Sequence, residues 1–262
     1  MAKKKKNDTT SSIAIERKMM IGPQLNFASS EAYKLLRTNV MFSFPAEEKC
    51  PVIGVTSTFK GEGKSLTSIN LSYTLAETKK KVLLIEGDMR IPNFAGRLNL
   101  KATPGVSNLL VELDDLSSAI QQVSLKSNKM DVPITFDVIT SGSIPPNPSE
   151  LMQSSRMKKL LTALRGSYDV IIIDLPPVTV VSDALITSSF ISGMVVVVRN
   201  QVASKRGLSD VMRQFRQANV KLIGFVFTNA DVTKSKSYNK YYKKGYHGYY
   251  GGYGDYSKHQ EN

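Results

Sequence analysis

The sequence predicts an α/β fold in which helices cover both faces of a mostly parallel β-sheet. Short apolar runs rich in β-branched residues alternate with stretches of helical periodicity, which is the pattern of strand–helix–strand units. The run Val52–Thr56 leads through a glycine-rich turn into a helix and then to a second strand, Val82–Ile85. A third run, Val170–Ile173, is apolar throughout and ends in Asp174, as expected of a central strand that is buried on both sides.

The turn after the first strand, Ser57–Ser65, has the composition of a phosphate-binding loop. Gly61 and Gly63 allow the backbone to curl so that successive N–H groups point at one anion, and the positive end of the next helix faces the same place. Lys64 would reach the β- and γ-phosphates of a nucleotide, and the Ser65 hydroxyl would bind Mg²⁺. The alternative is a glycine turn that only caps a helix. We therefore predict a P-loop fold whose nucleotide contacts are Lys60, Gly61, Glu62, Gly63, Lys64, Ser65 and Leu66.

Carboxylates follow two of the predicted strands. The segment Glu86-Gly-Asp88-Met-Arg90 comes after the second strand, and Asp174 ends the third. In open α/β sheets, ligands bind at the carboxyl ends of the parallel strands. Asp174 is therefore a candidate to hold Mg²⁺ through water or to orient the attacking group. As a lone aspartate before Pro176-Pro177 it could also be only a turn former.

Periodicity places the remaining elements along the chain. An apolar stripe predicts a helix from about Ser29 to Val40, with Ser29 or Ser30 as its cap. A proline-rich loop at 141–148 is too rigid to join a sheet. The other helices are predicted at 66–78, 106–110, 113–123, 149–164 and 204–218, and the other strands at 134–139, 194–198 and 222–227.

Charged residues recur every three positions on the first predicted helix. Glu31, Lys34 and Arg37 lie together on the face opposite the apolar stripe. They could form an ordinary solvated face with weak internal ion pairs, each worth a few tenths of a kcal/mol. The functional alternative is a contact between subunits.

The chain divides by composition into three parts. We expect a flexible basic arm at 1–26, one α/β domain at 27–233 and a flexible tail at 234–262. Lysine and glycine dominate the tail, which has almost no aliphatic residue and so cannot bury enough apolar surface to fold. It could be a sticky low-complexity segment, a strip that stacks on single-stranded nucleic acid, or an array of phosphate acceptors. The tail holds eight of the eleven tyrosines: Tyr238, Tyr241, Tyr242, Tyr246, Tyr249, Tyr250, Tyr253 and Tyr256.

Composition and charge narrow the classes of protein to which this chain can belong. The single cysteine, Cys50, excludes an intramolecular disulfide framework and fits a reducing compartment. No apolar core follows the basic N-terminus, so we expect no signal peptide, and the apolar run 184–198 is too short for a membrane helix. The net charge of +13 is concentrated at the two ends, where 1–20 and 234–262 each carry six Lys or Arg against two acids. Basic ends suit an anionic neighbour such as a membrane or a polyanion, or they are simply solvated tails.

Taken together, these motifs resemble those of the bacterial tyrosine kinases, in the free-standing cytoplasmic form found with capsule and exopolysaccharide clusters. The resemblance runs from about Ser29 to the C-terminus. Ser57–Ser65 resembles the Walker A loop of the family, Glu86–Arg90 its second acidic motif and Ile171–Pro177 its Walker B motif. The helix motif of Glu31, Lys34 and Arg37, the segment Pro145–Leu151 and the tyrosine tail are also typical of the family.

The resemblance implies an ATP- and Mg²⁺-dependent autokinase that regulates capsule or exopolysaccharide production. Lys64 and Ser65 would act at the phosphates and metal, Asp88 and Asp174 around the metal, and Glu86 as base for the incoming phenol. The eight tail tyrosines would be the acceptors, phosphorylated in trans within a ring joined through Glu31, Lys34 and Arg37, for which the resemblance suggests an octamer. The implied partners are a membrane adaptor of the polysaccharide co-polymerase type, which recruits the cytoplasmic protein to the inner face of the membrane, and a phosphotyrosine phosphatase. No nucleic acid is expected.

Some positions depart from the family pattern, and two other functions remain as alternatives. Glu86 stands where the family usually has aspartate, Lys60 replaces a proline, Thr58 the first glycine of the strict loop and Lys34 an arginine. The extra methylene of Glu86 could misplace its carboxylate and slow the kinase, so a nucleotide-binding scaffold with weak catalysis is one alternative. The other alternative is a positioning or partition ATPase. Such ATPases have a second lysine five residues before the catalytic one, where this chain has Phe59.

Overall fold

Seven strands form one sheet in the computed structural model of the chain, which describes residues 20–111, 115–126, 132–200 and 202–229. The chain divides into two units, Met1–Thr228 and Asn229–Asn262, and all the strands and helices of the described ranges belong to the first. The strand order is β3-β4-β2-β5-β1-β6-β7, and every neighbouring pair is parallel except β3 with β4. The prediction of a mostly parallel sheet is therefore confirmed. The strands are β1 (Val52–Ser57), β2 (Val82–Glu86), β3 (Gln121–Leu125), β4 (Ile134–Ile139), β5 (Val170–Asp174), β6 (Gly193–Arg199) and β7 (Leu222–Thr228).

The helices lie on both faces of this sheet, as predicted. They are α1 (Phe27–Phe42), α2 (Lys64–Ala76), α3 (Phe94–Leu98), α4 (Val106–Val111), α5 (Leu116–Ala119), α6 (Pro148–Gln153), α7 (Ser155–Leu164), α8 (Asp183–Thr187) and α9 (Lys205–Gln217), with short 3-10 turns at Gly22–Gln24 and Ser188–Phe190. Alternate residues of β5 point to opposite sides of the sheet. Ile172 therefore packs in the apolar cluster beneath α1 and α2, and Ile171 packs in the cluster beneath α6, α7 and α9.

The register of the central strands brings the acidic residues to one edge of the sheet. β2 and β5 pair in parallel with Glu86 opposite Asp174, and Asp174 lies opposite Val55 of β1 on its other side. The loops that leave β1, β2 and β5 therefore start side by side. This is the edge at which ligands bind in open α/β sheets.

Two of the helix predictions were wrong. The predicted helix at 113–123 is the short helix α5 followed by β3, which pairs antiparallel with β4; residues 112–114 lie outside the described part. Val123 is buried between exposed neighbours and lies opposite Phe136. The pairing with β4 decides the conformation of this segment, and the local sequence carries no sign of that pairing. The predicted helix at 149–164 is divided at Ser154, which is extended (φ −64°, ψ 152°) and accepts a hydrogen bond from Met157 N over 3.3 Å. A serine that caps the second helix in this way ends the first.

Residues 20–26 make specific contacts with α2. Residues 20–26 were expected to belong to the flexible arm, but they lie against α2. The N–H of Gly22 donates to Asn70 Oδ1 (2.8 Å), and Asn70 Nδ2 donates to the carbonyl of Met20 (2.9 Å). Asn26 caps α1 by accepting from Ser29 N (2.8 Å), so the predicted cap at Ser29 or Ser30 is wrong. Residues 1–19 of the predicted arm lie outside the described part of the chain.

None of the helices in the described ranges combines the length and the apolar character that a bilayer crossing requires.

Candidate active site

The loop between β1 and α2 has the backbone of a phosphate-binding turn. Gly61 and Gly63 have φ of +86° and +96°, in the left-handed region that an L side chain adopts only with strain. Gly63 is the N-cap of α2, so Lys64 and Ser65 occupy the first turn of that helix. The free N–H groups of this turn and the positive end of the helix dipole therefore face one place, where an anion is stabilised.

Glu62 holds this loop from inside. Its side chain is buried and accepts from Phe59 N (2.8 Å) and, more weakly, from Arg199 N (3.4 Å). Its carbonyl accepts from Thr228 Oγ1 (2.6 Å), and the Arg199 guanidinium donates to the carbonyl of Gly61 (3.1 Å). The ends of β6 and β7 therefore brace the loop. Neither Arg199 nor Thr228 was predicted from the sequence, because both lie far from the loop along the chain.

Lys64 lies between two carboxylates. Its Nζ is 2.9 Å from Asp88 Oδ2 and 3.4 Å from Asp174 Oδ2. Burial would lower the pKa of Lys64, but the two carboxylates outweigh this effect and raise it, so the ammonium group stays charged. The fold thus brings together three residues that were predicted from three separate segments of the sequence.

Asp174 is fully buried, and its carboxylate accepts hydrogen bonds from two serine hydroxyls of α2. Ser65 Oγ donates to Oδ2 (2.7 Å) and Ser68 Oγ donates to Oδ1 (3.0 Å). Burial raises the pKa of Asp174, while Lys64 and the two hydroxyls act in the opposite direction. Ser68 was not predicted as a site residue. The signal was present, since a residue three positions after Ser65 on a helix lies on the same face.

Glu86 does not join this cluster by a direct bond. Its side chain is fully buried, and Oε1 accepts from Asn93 N (2.5 Å) and Phe94 N (2.8 Å). Oε2 accepts from Ser141 N (3.0 Å). Burial raises the pKa of Glu86, and the three backbone N–H groups oppose that rise. The carboxylate thus links the segment before α3 with the segment after β4.

Asn93 contacts the hydroxyl of the P-loop serine. Its Nδ2 donates to Ser65 Oγ (3.2 Å), while its Oδ1 accepts from Arg97 Nε (2.7 Å). Arg97 therefore fixes which end of the amide faces Ser65. Asn93 was not predicted either, because no motif of the sequence singles it out.

A second ionic cluster joins the loop after β2 to two helices, α6 and α8. Arg90 Nε donates to Asp183 Oδ2 (3.0 Å), and Ser149 Oγ donates to Asp183 Oδ1 (2.5 Å). Asp183 is buried, and its hydrogen bond to the guanidinium raises the pKa of Arg90. The loop that carries Asp88 is thereby tied to α6 and α8.

The other predicted site residues lie elsewhere. Glu31 pairs with Lys34 within α1 (2.8 Å), and Arg37 donates to the carbonyl of Thr74 in α2 (2.6 Å). Arg37 is thus engaged within its own chain. Lys60 is exposed, Leu66 is half-buried, and the eight tail tyrosines lie outside the described residues.

The oxygen groups at the site suit a magnesium nucleotide. Within the described ranges no three His, Cys, Asp or Glu side chains form a cluster that could hold a metal by itself. Mg²⁺ typically takes only one or two protein oxygens, because water and nucleotide phosphates complete its shell. Ser65 with Asp174 and Asp88 provides hard oxygen ligands beside a phosphate loop, which fits that pattern.

Comparison with known proteins identifies similar chains. A family described as AAA domain matches residues 51–224. The tyrosine-protein kinase YwqD of Bacillus subtilis (strain 168) is 33% identical over 213 residues, which cover 81% of this chain and 86% of that protein. The putative tyrosine-protein kinase CapB of Staphylococcus aureus is 32% identical over 213 residues, covering 81% of this chain and 90% of that protein.

Solved structures agree with these relatives. The kinase domain of Escherichia coli tyrosine kinase ETK superposes with a TM-score of 0.68 at 31% identity, covering 77% of each chain. The chimerical protein CapA2B2 gives a TM-score of 0.66 at 33% identity, covering 74% of this chain and 82% of that one. The septum site-determining protein MinD of Pyrococcus horikoshii, complexed with Mg-ADP, is only 20% identical (TM-score 0.53, covering 68% and 70%), a similarity of fold alone.

Proposed function

This chain belongs to the bacterial tyrosine kinases, and from that premise we propose that it phosphorylates the tyrosines of its own C-terminal tail in trans. It is a protein-tyrosine autokinase built on a nucleotide-binding P-loop fold. One observation carries the proposed mechanism: Lys64, in the first turn of α2, contacts both Asp88 and Asp174. The resemblance identified from the sequence motifs is thus confirmed at the level of the family.

The P-loop would hold the phosphates of ATP. The N–H groups around Gly61 and Gly63 converge on one place, and the charged Lys64 ammonium lies beside it. Lys64 pairs with Asp88 and Asp174, and a bound γ-phosphate would compete for the same ammonium protons. Lys64 would then neutralise the charge that develops on the transferred group.

Ser65, Asp88 and Asp174 would hold Mg²⁺ beside the phosphates. When bound, this ion would help to neutralise the charge that develops on the phosphates. Asp174 would act through Ser65, since the hydroxyl donates its proton to the carboxylate and turns its oxygen lone pairs away from it. Full burial of Asp174 excludes it from direct contact with an incoming substrate.

The acceptor phenol needs a group that orients it and takes its proton. A free tyrosine has a pKa of about 10 and is mostly protonated at pH 7. The resemblance makes Glu86 the candidate base, but its two oxygens accept three backbone N–H groups in a fully buried position. We propose that Asp88 takes this role through Oδ1, which accepts a single backbone bond, from Ile91 N (3.1 Å), while its Oδ2 faces Lys64 and the metal site.

A ring of subunits would deliver each tail to a neighbouring site. The face of α1 carries two apolar side chains that are largely exposed, Leu35 (62%) and Phe42 (84%), and a second copy would cover them. The Glu31–Lys34 pair lies on the same helix. Contact through this helix is consistent with a homo-oligomeric ring, for which the resemblance suggests an octamer, although Arg37 is already bonded to Thr74.

The partners follow from the family. A membrane adaptor of the polysaccharide co-polymerase type would recruit the kinase to the inner face of the cell membrane and activate it, and a phosphotyrosine phosphatase would reverse the reaction. Each phosphate adds about −1.5 to −2 charges to the basic tail. A tail with many phosphates would repel its neighbours, loosen the ring and so regulate the synthesis and export of capsule or exopolysaccharide.

Mixing two defective chains tests phosphorylation in trans. One chain carries Lys64→Met and an intact tail, and the other has an intact site with Phe in place of the eight tail tyrosines. With Mg²⁺ and ATP, and with the cytosolic segment of the adaptor added, we expect phosphate on the tail of the Lys64→Met chain only when both are present. Phosphate that appears on wild-type chains at a rate independent of protein concentration, and never in the mixture, would contradict transfer in trans.

A further inference from the structure

Glu86 is a buried carboxylate for which the proposed chemistry has no use. It is fully buried at the end of β2, opposite Asp174 in the register of the sheet. Three backbone N–H groups donate to its two oxygens, at 2.5, 2.8 and 3.0 Å. Both oxygens of Glu86 thus accept from backbone N–H groups, whereas Asp88 accepts from only one such group, that of Ile91.

We propose that Glu86 is a positioning residue that sets the place of Asn93 and, through it, of the Ser65 hydroxyl. This inference rests on the proposed role of Ser65 at the magnesium nucleotide. Oε1 fixes the backbone of Asn93 and Phe94, and Oε2 fixes Ser141. The side chain thus clamps two loops that are far apart in sequence against the end of β2.

The clamp reaches the P-loop through the Asn93 side chain. With its backbone held by Glu86 and its Oδ1 held by Arg97 Nε (2.7 Å), Asn93 has only its Nδ2 end left to face Ser65 Oγ (3.2 Å). Ser65 in turn donates to Asp174 (2.7 Å). The Ser65 hydroxyl is therefore oriented by Asp174, by Asn93 and, over 3.4 Å, by Lys64 Nζ, and of these the Asn93 contact depends on Glu86.

The length of the glutamate side chain matters for this role. Oε1 accepts from the segment at Asn93 and Oε2 from Ser141, so the carboxylate must reach both segments at once. An aspartate would withdraw the carboxylate by one methylene, a C–C bond of about 1.5 Å. At such a distance bonds of 2.5–3.0 Å to both loops cannot be kept without a shift of one loop. Glu86 in place of the usual aspartate is then matched to its surroundings in this chain.

Two variants of Glu86 separate a positioning role from that of a base. In Glu86→Asp the amides of Asn93, Phe94 and Ser141 should exchange with solvent about tenfold faster in the nucleotide-free protein, and the Kd for Mg²⁺·ATP should rise about tenfold. In Glu86→Gln only one oxygen remains to accept, so one of the two loops should lose protection. In both variants KM for Mg²⁺·ATP should rise more than kcat falls.

Asn93→Ala and Glu47→Gln complete the set. Asn93→Ala keeps the backbone bonds to Glu86, so it should raise the Kd for Mg²⁺·ATP while the amide of Ser141 stays protected. Glu47 is exposed, and Glu47→Gln should match wild type in every readout. Unchanged exchange in Glu86→Asp together with faster phosphate transfer would overturn the inference and restore Glu86 as the base. Amide exchange and nucleotide affinity do not depend on phosphate transfer. If the variants show the expected changes in exchange and affinity but the wild-type chain transfers no phosphate, the proposed function alone is contradicted.

Discussion

The Ser68 hydroxyl donates a hydrogen bond to one carboxylate oxygen of Asp174 (3.0 Å). Ser65, one turn earlier on the same helix, donates to the other oxygen. Two side chains of α2 thus hold both oxygens of the Walker B aspartate. Asp174 is fully buried, so these bonds fix its orientation and offset part of its burial cost. The P-loop helix therefore sets the orientation of the Walker B carboxylate.

Removal of the Ser68 hydroxyl should misorient Asp174. Ser68→Ala leaves Oδ1 without this partner, and we expect a loss of about 1–3 kcal/mol in the free energy of unfolding and about a tenfold fall in kcat. Urea unfolding and steady-state kinetics measure the two effects. Ser72→Ala is the matched control, because Ser72 is also buried on α2 and donates to the carbonyl of Ser68 (2.8 Å), much as Ser68 donates to that of Lys64 (3.0 Å). It therefore removes a helix-carbonyl bond without removing a bond to Asp174. Equal losses of activity in the two variants would refute the special role of Ser68.

The left-handed backbone at Gly63 predicts a cost for any side chain there. Gly63→Ala should lower the free energy of unfolding by about 1–2 kcal/mol and weaken nucleotide binding, because φ of +96° is strained for alanine. Gly96→Ala is the control: this glycine lies in α3, and a Cβ there would meet no atom within 4 Å. Thermal unfolding and calorimetric titration with ATP distinguish the two. A Gly63→Ala chain that binds as wild type does would show that the loop relaxes without cost.

The exposed apolar face of α1 predicts where subunits meet. The double variant Leu35→Glu/Phe42→Glu should lower the mass of the assembly measured by light scattering, because buried charges oppose association. Val111→Glu changes another exposed apolar residue (52%) on α4 and should leave the mass unchanged. If the double variant assembles as wild type does, the ring contact lies on another surface.

Tyr168 predicts a loss of stability in alkali. Burial, and then the bond from its hydroxyl to Asp137 Oδ2 (2.8 Å), raises the pKa of Tyr168 above the ordinary value near 10. Between those two pKa values the folded chain binds more protons than the unfolded chain, so stability is fully present below about pH 10 and falls as pH rises beyond it. Urea unfolding at about pH 8 and about pH 10.5 should show a smaller loss in Tyr168→Phe than in wild type. Equal losses of stability in Tyr168→Phe and wild type would show that Tyr168 is not the source of the alkaline instability.

The central elements could be predicted from sequence because local signals and burial agree there. Val170–Asp174 is apolar up to its final aspartate and becomes a central strand, and the glycine-lysine-serine run becomes the phosphate loop. The peripheral parts could not be predicted. The strand containing Val123 depends on pairing with Phe136, and no sequence pattern indicated the short helices α3 and α8. A helix of five residues is too short to show a periodicity.

The site was predictable in its residues more than in their contacts. Lys64, Asp88 and Asp174 come together as expected for the carboxyl edge of the sheet. Glu86 ends the strand that Asp88 follows, yet its side chain bonds to backbone N–H groups whose positions only the folded loops determine. Arg199 and Thr228 brace the loop from strands that lie 137 and 166 positions away from Glu62 along the chain. Such contacts carry no local pattern.

Intact-mass spectrometry tests the central claim most directly. Wild type and Lys64→Met are incubated with Mg²⁺ and ATP, with and without the adaptor's cytosolic segment, and Lys159→Met serves as an exposed lysine control on α7. We predict several added phosphates on wild type and Lys159→Met, mapping to Tyr238–Tyr256, and none on Lys64→Met. Bound ATP with no phosphotyrosine under either condition would contradict the kinase account and leave a scaffold or a positioning ATPase.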